Sequence, residues 1–166
     1  EDPSVSRAFG ITPACFTIWN DDESFHQAAM EKYLDWLIGQ GAQSLSVCGS
    51  TGENITMTIE EQSRIIEACV KYVAGAVPVY AGTGRYSTAH TIELSRSAEA
   101  CGADGVMVIL PYYLKPHKAA VLDHFRAIRS AIDIDIMVYN NPWFAGYELS
   151  PDEVAQLYAE GVVGSI

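Results

Sequence analysis

The stretch Gly41-Ala42-Gln43-Ser44-Leu45-Ser46-Val47 returns in pattern as Gly102-Ala103-Asp104-Gly105-Val106-Met107-Val108. Each copy is a glycine-led turn running into an apolar segment of strand length. Between the copies lies a further such segment, Ala76-Val77-Pro78-Val79-Tyr80-Ala81. Ile134-Asp135-Ile136-Met137-Val138-Tyr139 follows, and Val162-Val163-Gly164-Ser165-Ile166 closes the sequence. Val47, Val79, Val108, Val138 and Ile166 therefore recur about every 30 residues, the length of one strand-plus-helix unit. Upstream, Ala8 to Phe16 is apolar with Pro13 interrupting it, and reads as a short first strand after a loose terminus at Glu1 to Arg7.

The segments between these strands have helical signatures. Phe25 to Ile38 carries Phe25, Ala28, Ala29, Tyr33, Leu34, Trp36 and Leu37 at an approximate helical period before Gly39 and Gly41 stop it. Thr58 to Val73 opens on Thr58, Glu60 and Glu61, residues suited to a cap and a first turn. Ser87 to Cys101 and Ala119 to Ile132 repeat the apolar period. Ser150-Pro151-Asp152-Glu153 pairs a capping serine with proline at the first helical position.

Continuous apolar strands alternating with helices call for a parallel sheet covered by helices. An open doubly wound sheet and a (β/α)8 barrel both satisfy that. Six strands do not close an eight-stranded barrel, which takes roughly 250 residues. An open sheet, for its part, leaves the last strand as a bare apolar edge. We therefore expect α/β architecture of the (β/α)8 TIM-barrel type. Residues 1–166 then supply about the first six strands of a single domain that continues in a longer protein.

Composition narrows the function. Ten basic and 21 acidic residues give a net charge of −11, which argues against nucleic acid or an anionic membrane surface as partner. The apolar runs are too short to span a bilayer, and no signal-peptide pattern opens the chain, which begins with Glu1 rather than Met. Cysteines 15, 48, 69 and 101 form no C-x-x-C pair or zinc spacing, and histidines 26, 90, 117 and 124 form no metal motif. The expectation is a cytoplasmic protein with reduced thiols and no metal.

In a barrel the active site lies at the carboxyl ends of the strands. There the sequence places Gly49-Ser50-Thr51-Gly52-Glu53, Gly82-Thr83-Gly84, Pro111-Tyr112-Tyr113 with Lys115-Pro116, and Tyr139-Asn140-Asn141-Pro142. In the first loop two glycines bracket two hydroxyls, so backbone and hydroxyls can approach a small anion such as a carboxylate. The bland reading of that loop is a polar strand-to-helix turn. Gly82-Thr83-Gly84 matches no phosphate-binding motif and reads as a tight turn. Glu53 is the only obvious rim carboxylate, whereas glycosidase chemistry needs two; a structural role suits it better. A ring of serine, threonine and tyrosine relays protons and holds a carboxylate, but needs a partner to drive bond making. In a metal-free site the natural partner is a lysine forming an imine with a keto substrate.

These motifs, in this order and spacing, resemble the dihydrodipicolinate synthase / N-acetylneuraminate lyase family, which are Schiff-base-forming class I aldolases and lyases on a (β/α)8 barrel. The likeness runs from about the first strand to the last residue. It implies that Ser50 and Thr51 hold the carboxylate of pyruvate or another 2-keto acid. It implies Tyr139 as general acid/base beside the imine, and Ser50 with Tyr113 as a hydroxyl relay, Tyr113 reaching across a subunit interface. Neighbouring Tyr112 is the alternative to Tyr113. The resemblance also implies a homo-oligomer, a dimer of dimers, needing no cofactor. The family's imine-forming lysine follows a Gly-x-Ile/Val context, so after Gly164-Ser165-Ile166 it is expected as the next residue. One position departs from the synthase pattern. Where the synthase branch has an arginine that grips a second substrate carboxylate, this chain has Phe144, which cannot form that bidentate contact. That points to a lyase for some other 2-keto acid, with an apolar or sugar-like second part. A dihydrodipicolinate synthase and a catalytically silent keto-acid binder are the alternatives.

Overall fold

The computed structural model describes residues 10–166. The expected loose terminus at Glu1 to Arg7, and the start of the first strand at Ala8 and Phe9, lie outside the described residues. The elements run α1 (Gln27–Gly39), β1 (Leu45–Val47), α2 (Ile59–Val73), β2 (Val79–Gly82), α3 (Thr88–Ala100), β3 (Gly105–Ile109), α4 (Lys118–Arg129), β4 (Asp135–Tyr139), α5 (Pro142–Ala145) and α6 (Pro151–Ala159). The four strands form one parallel sheet in the order β1-β2-β3-β4. Such an order, with a helix in every crossover, is what repeated strand-helix units of one hand produce.

The outermost expected strands are present only as single bridges. Ala14 pairs with Ser46, and Ser165 with Met137, both parallel. Pro13 explains the shortness of the first, because it has no N–H to extend the ladder; its carbonyl still accepts from Ser46 N at 3.1 Å, and Cys15 N donates to Ser46 O at 2.8 Å. At the other edge Val138 N donates to Ser165 O at 2.8 Å and Gly164 N to Ile136 O at 3.1 Å.

Helix ends follow local chemistry. Thr58 and Glu61 form a reciprocal capping box on α2, and Ser150 and Glu153 do the same on α6 with Pro151 in the first turn. The periodic signal of the first helix began at Phe25, but α1 starts two residues later because the His26 Nδ1 caps it by accepting from Ala29 N. Leu45, Val47, Val79, Ala81, Val106, Val108, Ile136 and Val138 are buried in one core with Leu34, Ile65, Ile66, Ala98, Phe125 and Ile128 of the helices. Each such aliphatic side chain contributes about 2 kcal/mol by leaving water.

Across the sheet, Ser46, Tyr80, Gly105 and Asp135 stand in one row. Tyr80 lies over Gly105, where a Cβ would strike its ring, and its hydroxyl donates to Asp135 Oδ2 at 2.8 Å. Ser165 Oγ donates to the same carboxylate oxygen at 3.2 Å. The buried Asp135 thus ties β2, β4 and the Ser165 bridge together, its charge compensated by hydroxyl donors as a buried carboxylate requires.

Candidate active site

All strands run the same way, so the loops after β1, β3 and β4 gather at one end of the sheet. Their approach is set by glycines. A Cβ on Gly82 would collide with the Cys48 carbonyl and come within 2.8 Å of Gly49 Cα; one on Gly84 would lie 2.6 Å from Ile109 N. The strand ends therefore meet backbone to backbone. Gly82-Thr83-Gly84 is not the tight turn expected of it: Gly82 is the last residue of β2, and Thr83 extends the ladder through its N–H to Met107 O at 3.1 Å.

Four residues in or beside these loops hold left-handed backbone angles without being glycine: Cys48 (φ 55°), Glu53 (φ 61°), Tyr113 (φ 71°) and Lys115 (φ 46°). Each costs on the order of 1 kcal/mol. Cys48 follows β1 and turns the chain so that Ser50 and Thr51 stand exposed at the rim. Thr17 Oγ1 donates to Gly52 O at 2.7 Å and pins the far side of that loop.

A cavity of about 360 Å³ lies among the three loops, lined by Ser50, Asn54, Ile55, Ile109, Tyr112, Tyr113 and Phe144. The volume lies within the range of small-molecule sites. Of the expected site residues, the structure brings Ser50, Tyr113 and Phe144 onto this cavity. Thr51 and Tyr139 do not line it. Tyr139 is in register with the lining residue Ile109, and the Asn141 amide donates to its hydroxyl oxygen at 2.8 Å. Tyr112 lines the cavity as well; its hydroxyl is buried without a hydrogen-bond partner and its ring packs edge-on to Tyr86.

Sequence reasoning gave no role to four residues that build the site. Asn141 caps α5, accepting from Phe144 N at 3.3 Å, and Pro142 follows at the first helical position. That Asn-Pro pair is a legible helix start, and the helix it makes presents Phe144 to the cavity. Asn54 and Ile55 sit on a short 3-10 turn after the first loop. Arg85 is buried, its guanidinium donating to Met57 O at 3.0 Å and to Gln62 Oε1, while its Nε has no partner. Gln62 Nε2 in turn donates to Gly82 O at 2.6 Å. Burial pushes the Tyr112 phenol pKa up, and the Arg85 charge beside it pulls the other way. Burial pushes the Cys48 thiol well above its ordinary pKa, which makes it a poor nucleophile.

Known proteins resemble the chain throughout. It is 40% identical over 153 residues to the 4-hydroxy-tetrahydrodipicolinate synthase of Methylobacterium radiotolerans, an alignment covering 92% of this chain and 51% of that one. The crystal structure of dihydrodipicolinate synthase from Aquifex aeolicus superposes with a TM-score of 0.89 at 34% identity, covering 94% of this chain and 54% of its own. A prophage protein of the dihydrodipicolinic acid synthase family from E. coli K12, solved in complex with pyruvate, gives 0.89 at 34% identity over 91% and 51%. The chain spans about half the length of the relatives it matches, and its parallel strand-helix succession is that of the first part of a (β/α)8 barrel. The model of the Dihydrodipicolinate synthetase family matches residues 7–166, and the chain belongs to that family.

Proposed function

We propose that the full-length protein is a Schiff-base-forming lyase of the class I aldolase type, acting on pyruvate or another 2-keto acid through a lysine imine. The observation that carries this reading is the convergence of Ser50 and Tyr113 on one cavity at the carboxyl end of a parallel sheet. The pyruvate bound by the E. coli relative supports the substrate class.

In this reading Ser50 and Thr51 take the keto-acid carboxylate through their hydroxyls and the freed N–H groups of their loop. Tyr139 moves the proton that imine formation and hydrolysis require, its hydroxyl oriented by the Asn141 amide. Tyr113 and Ser50 relay that proton towards solvent. The imine-forming lysine is the residue after Ile166, within a single barrel domain that residues 1–166 begin. Under this proposal the enzyme works in the cytoplasm as a homo-oligomer, a dimer of dimers, and acts on a small molecule rather than nucleic acid or membrane. Among the described residues no helix is long and apolar enough to cross a membrane.

Borohydride added to the full-length protein with pyruvate should fix the substrate covalently and raise the protein mass by one reduced adduct. An unchanged mass overturns the reading and favours a silent keto-acid binder. The names of the relatives favour a second reading, condensation of pyruvate with aspartate semialdehyde. Phe144 weighs against it, and assaying that condensation directly separates the two.

A further inference from the structure

Asp135, Met137 and Tyr139 lie on one face of β4, because side chains alternate along a strand. The parallel bridge between Met137 and Ser165 puts Ser165 on that face as well. Two residues further along both segments, the position after Ile166 falls beside Tyr139, about 4.8 Å away across the ladder. A lysine there stands where the Tyr139 hydroxyl can serve its nitrogen. The placement depends on register, since a slip of one residue turns every side chain of a strand to the opposite face.

Backbone pairing alone does not secure that register. The segment around Ser165 meets β4 at a single bridge, with Val138 N donating to Ser165 O at 2.8 Å and Gly164 N to Ile136 O at 3.1 Å. Such bonds read no side chain and can re-form after a slip. What reads the side chain is Asp135. Ser165 Oγ donates to its Oδ2 at 3.2 Å, and the fully buried Tyr80 holds the same oxygen through its hydroxyl at 2.8 Å. A Cβ on Gly164 would strike Asp135 Oδ1, so the carboxylate lies where it does only beside a glycine. A slip of one residue would set bare Gly164 or apolar Ile166 against the carboxylate in place of the Ser165 hydroxyl. Asp135, 4% exposed, would then lose a donor while staying buried, at a cost of about 1–3 kcal/mol. An apolar side chain at this position would fill the space without telling one register from another.

We propose that Asp135 is a positioning residue for imine formation: by gripping Ser165 it holds that segment in the register that sets the following residue beside Tyr139. The proposal rests on the keto-acid lyase reading and adds to it the group that aims the nucleophile. Four residues of β4, roughly 13 Å of strand, separate Asp135 from Tyr139, so the carboxylate acts through Ser165 and touches no reacting atom. In the step it serves, the lysine nitrogen bonds to the keto carbon. The protons that the nitrogen gives up pass by way of Tyr139 to the former carbonyl oxygen, which leaves as water.

The test uses the full-length enzyme and begins with borohydride trapping of pyruvate, followed by digestion and mass spectrometry. No adduct, or an adduct anywhere but on the residue after Ile166, overturns the underlying lyase reading. With the adduct located there, its rate of formation is compared for Ser165→Val and Ser165→Thr, which have the same shape and differ in the hydroxyl. The positioning proposal expects Ser165→Val to form the adduct at least about tenfold more slowly, as a misplaced nucleophile does, and Ser165→Thr to stay within about twofold of the wild type. A Ser165→Val variant at the wild-type rate overturns the proposal alone, and so does an equal loss in both variants, which would make side-chain volume the cause. Asp135→Asn keeps an oxygen that accepts from both hydroxyls and should retain the rate; a tenfold loss there would assign the effect to charge and overturn positioning. If Ser165→Val does not fold by circular dichroism, Tyr80→Phe decides. It frees the carboxylate without altering the Ser165 segment, and should slow adduct formation at least about threefold; an unchanged rate overturns the proposal.

Discussion

Arg85 illustrates how a single side chain can organise two loops. Its guanidinium joins Met57 O, on the loop that carries Asn54 and Ile55, to Gln62 of α2, which itself holds the end of β2 through Gly82 O. Arg85→Met should leave buried acceptors unpaired and lower unfolding free energy by about 2 kcal/mol, read from urea denaturation. Another buried group gives a pH signature. His124 accepts from or donates to Thr88 Oγ1 at 2.9 Å, its Nε2 is buried without a partner, and burial lowers its pKa from 6.5 to about 4. Below pH 6.5 the unfolded chain binds a proton that the folded one refuses. Stability from this residue is therefore full above pH 6.5 and is lost as the pH falls towards 4, on the order of 3 kcal/mol across that window. Urea midpoints at pH 7, 6 and 5 should show the decline, and His124→Gln should flatten it. Neither role was legible beforehand. A lone arginine after Gly84 and a lone histidine within a helix look the same in sequence whether they face water or the core, because only tertiary packing decides their burial.

The elements were legible to different degrees, for reasons that differ. Helices α2 and α6 announce themselves through Thr58, Glu61, Ser150 and Pro151, since capping is local chemistry. Strand cores followed from their apolar runs, yet the first and last strands shrank to single bridges, because pairing depends on what lies alongside as well as on side-chain pattern. The four-residue α5 was missed, being too short for any periodicity to register. It nonetheless couples two parts of the site. Asn141 caps the helix through its Oδ1 and holds the Tyr139 hydroxyl through its Nδ2. Asn141→Ala should cost about 1 kcal/mol in stability through the lost cap. In the proposed mechanism it should also lower kcat for the full-length enzyme, through the freed phenol. Steady-state kinetics read that effect. An Asn141→Asp variant, which keeps the cap oxygen but not the amide donor, should recover stability without recovering kcat.

At the scale of the molecule, the repeat of about 30 residues carried the architecture, because a strand-helix unit has a characteristic length. It did not reveal how the repeats press together, which rests on backbone contacts. Gly105 is the clearest case: with the Tyr80 ring against it, Gly105→Ala should cost about 1–3 kcal/mol and loosen the Tyr80–Asp135 hydrogen bond. Thermal melts and near-ultraviolet dichroism of the tyrosines check both. The same backbone contact at the opposite end of the sheet has a different consequence. Where Gly82 meets Cys48 and Gly49, and Gly84 meets Ile109, there is no room for a side chain, so mutation has almost no vocabulary there. Ile55 and Phe144, by contrast, stand largely exposed at the mouth of the cavity and can be exchanged without disturbing what lies beneath. A redesign of this protein for a new second reactant thus has its editable letters already separated from its fixed ones: rewrite the mouth and leave the glycines alone.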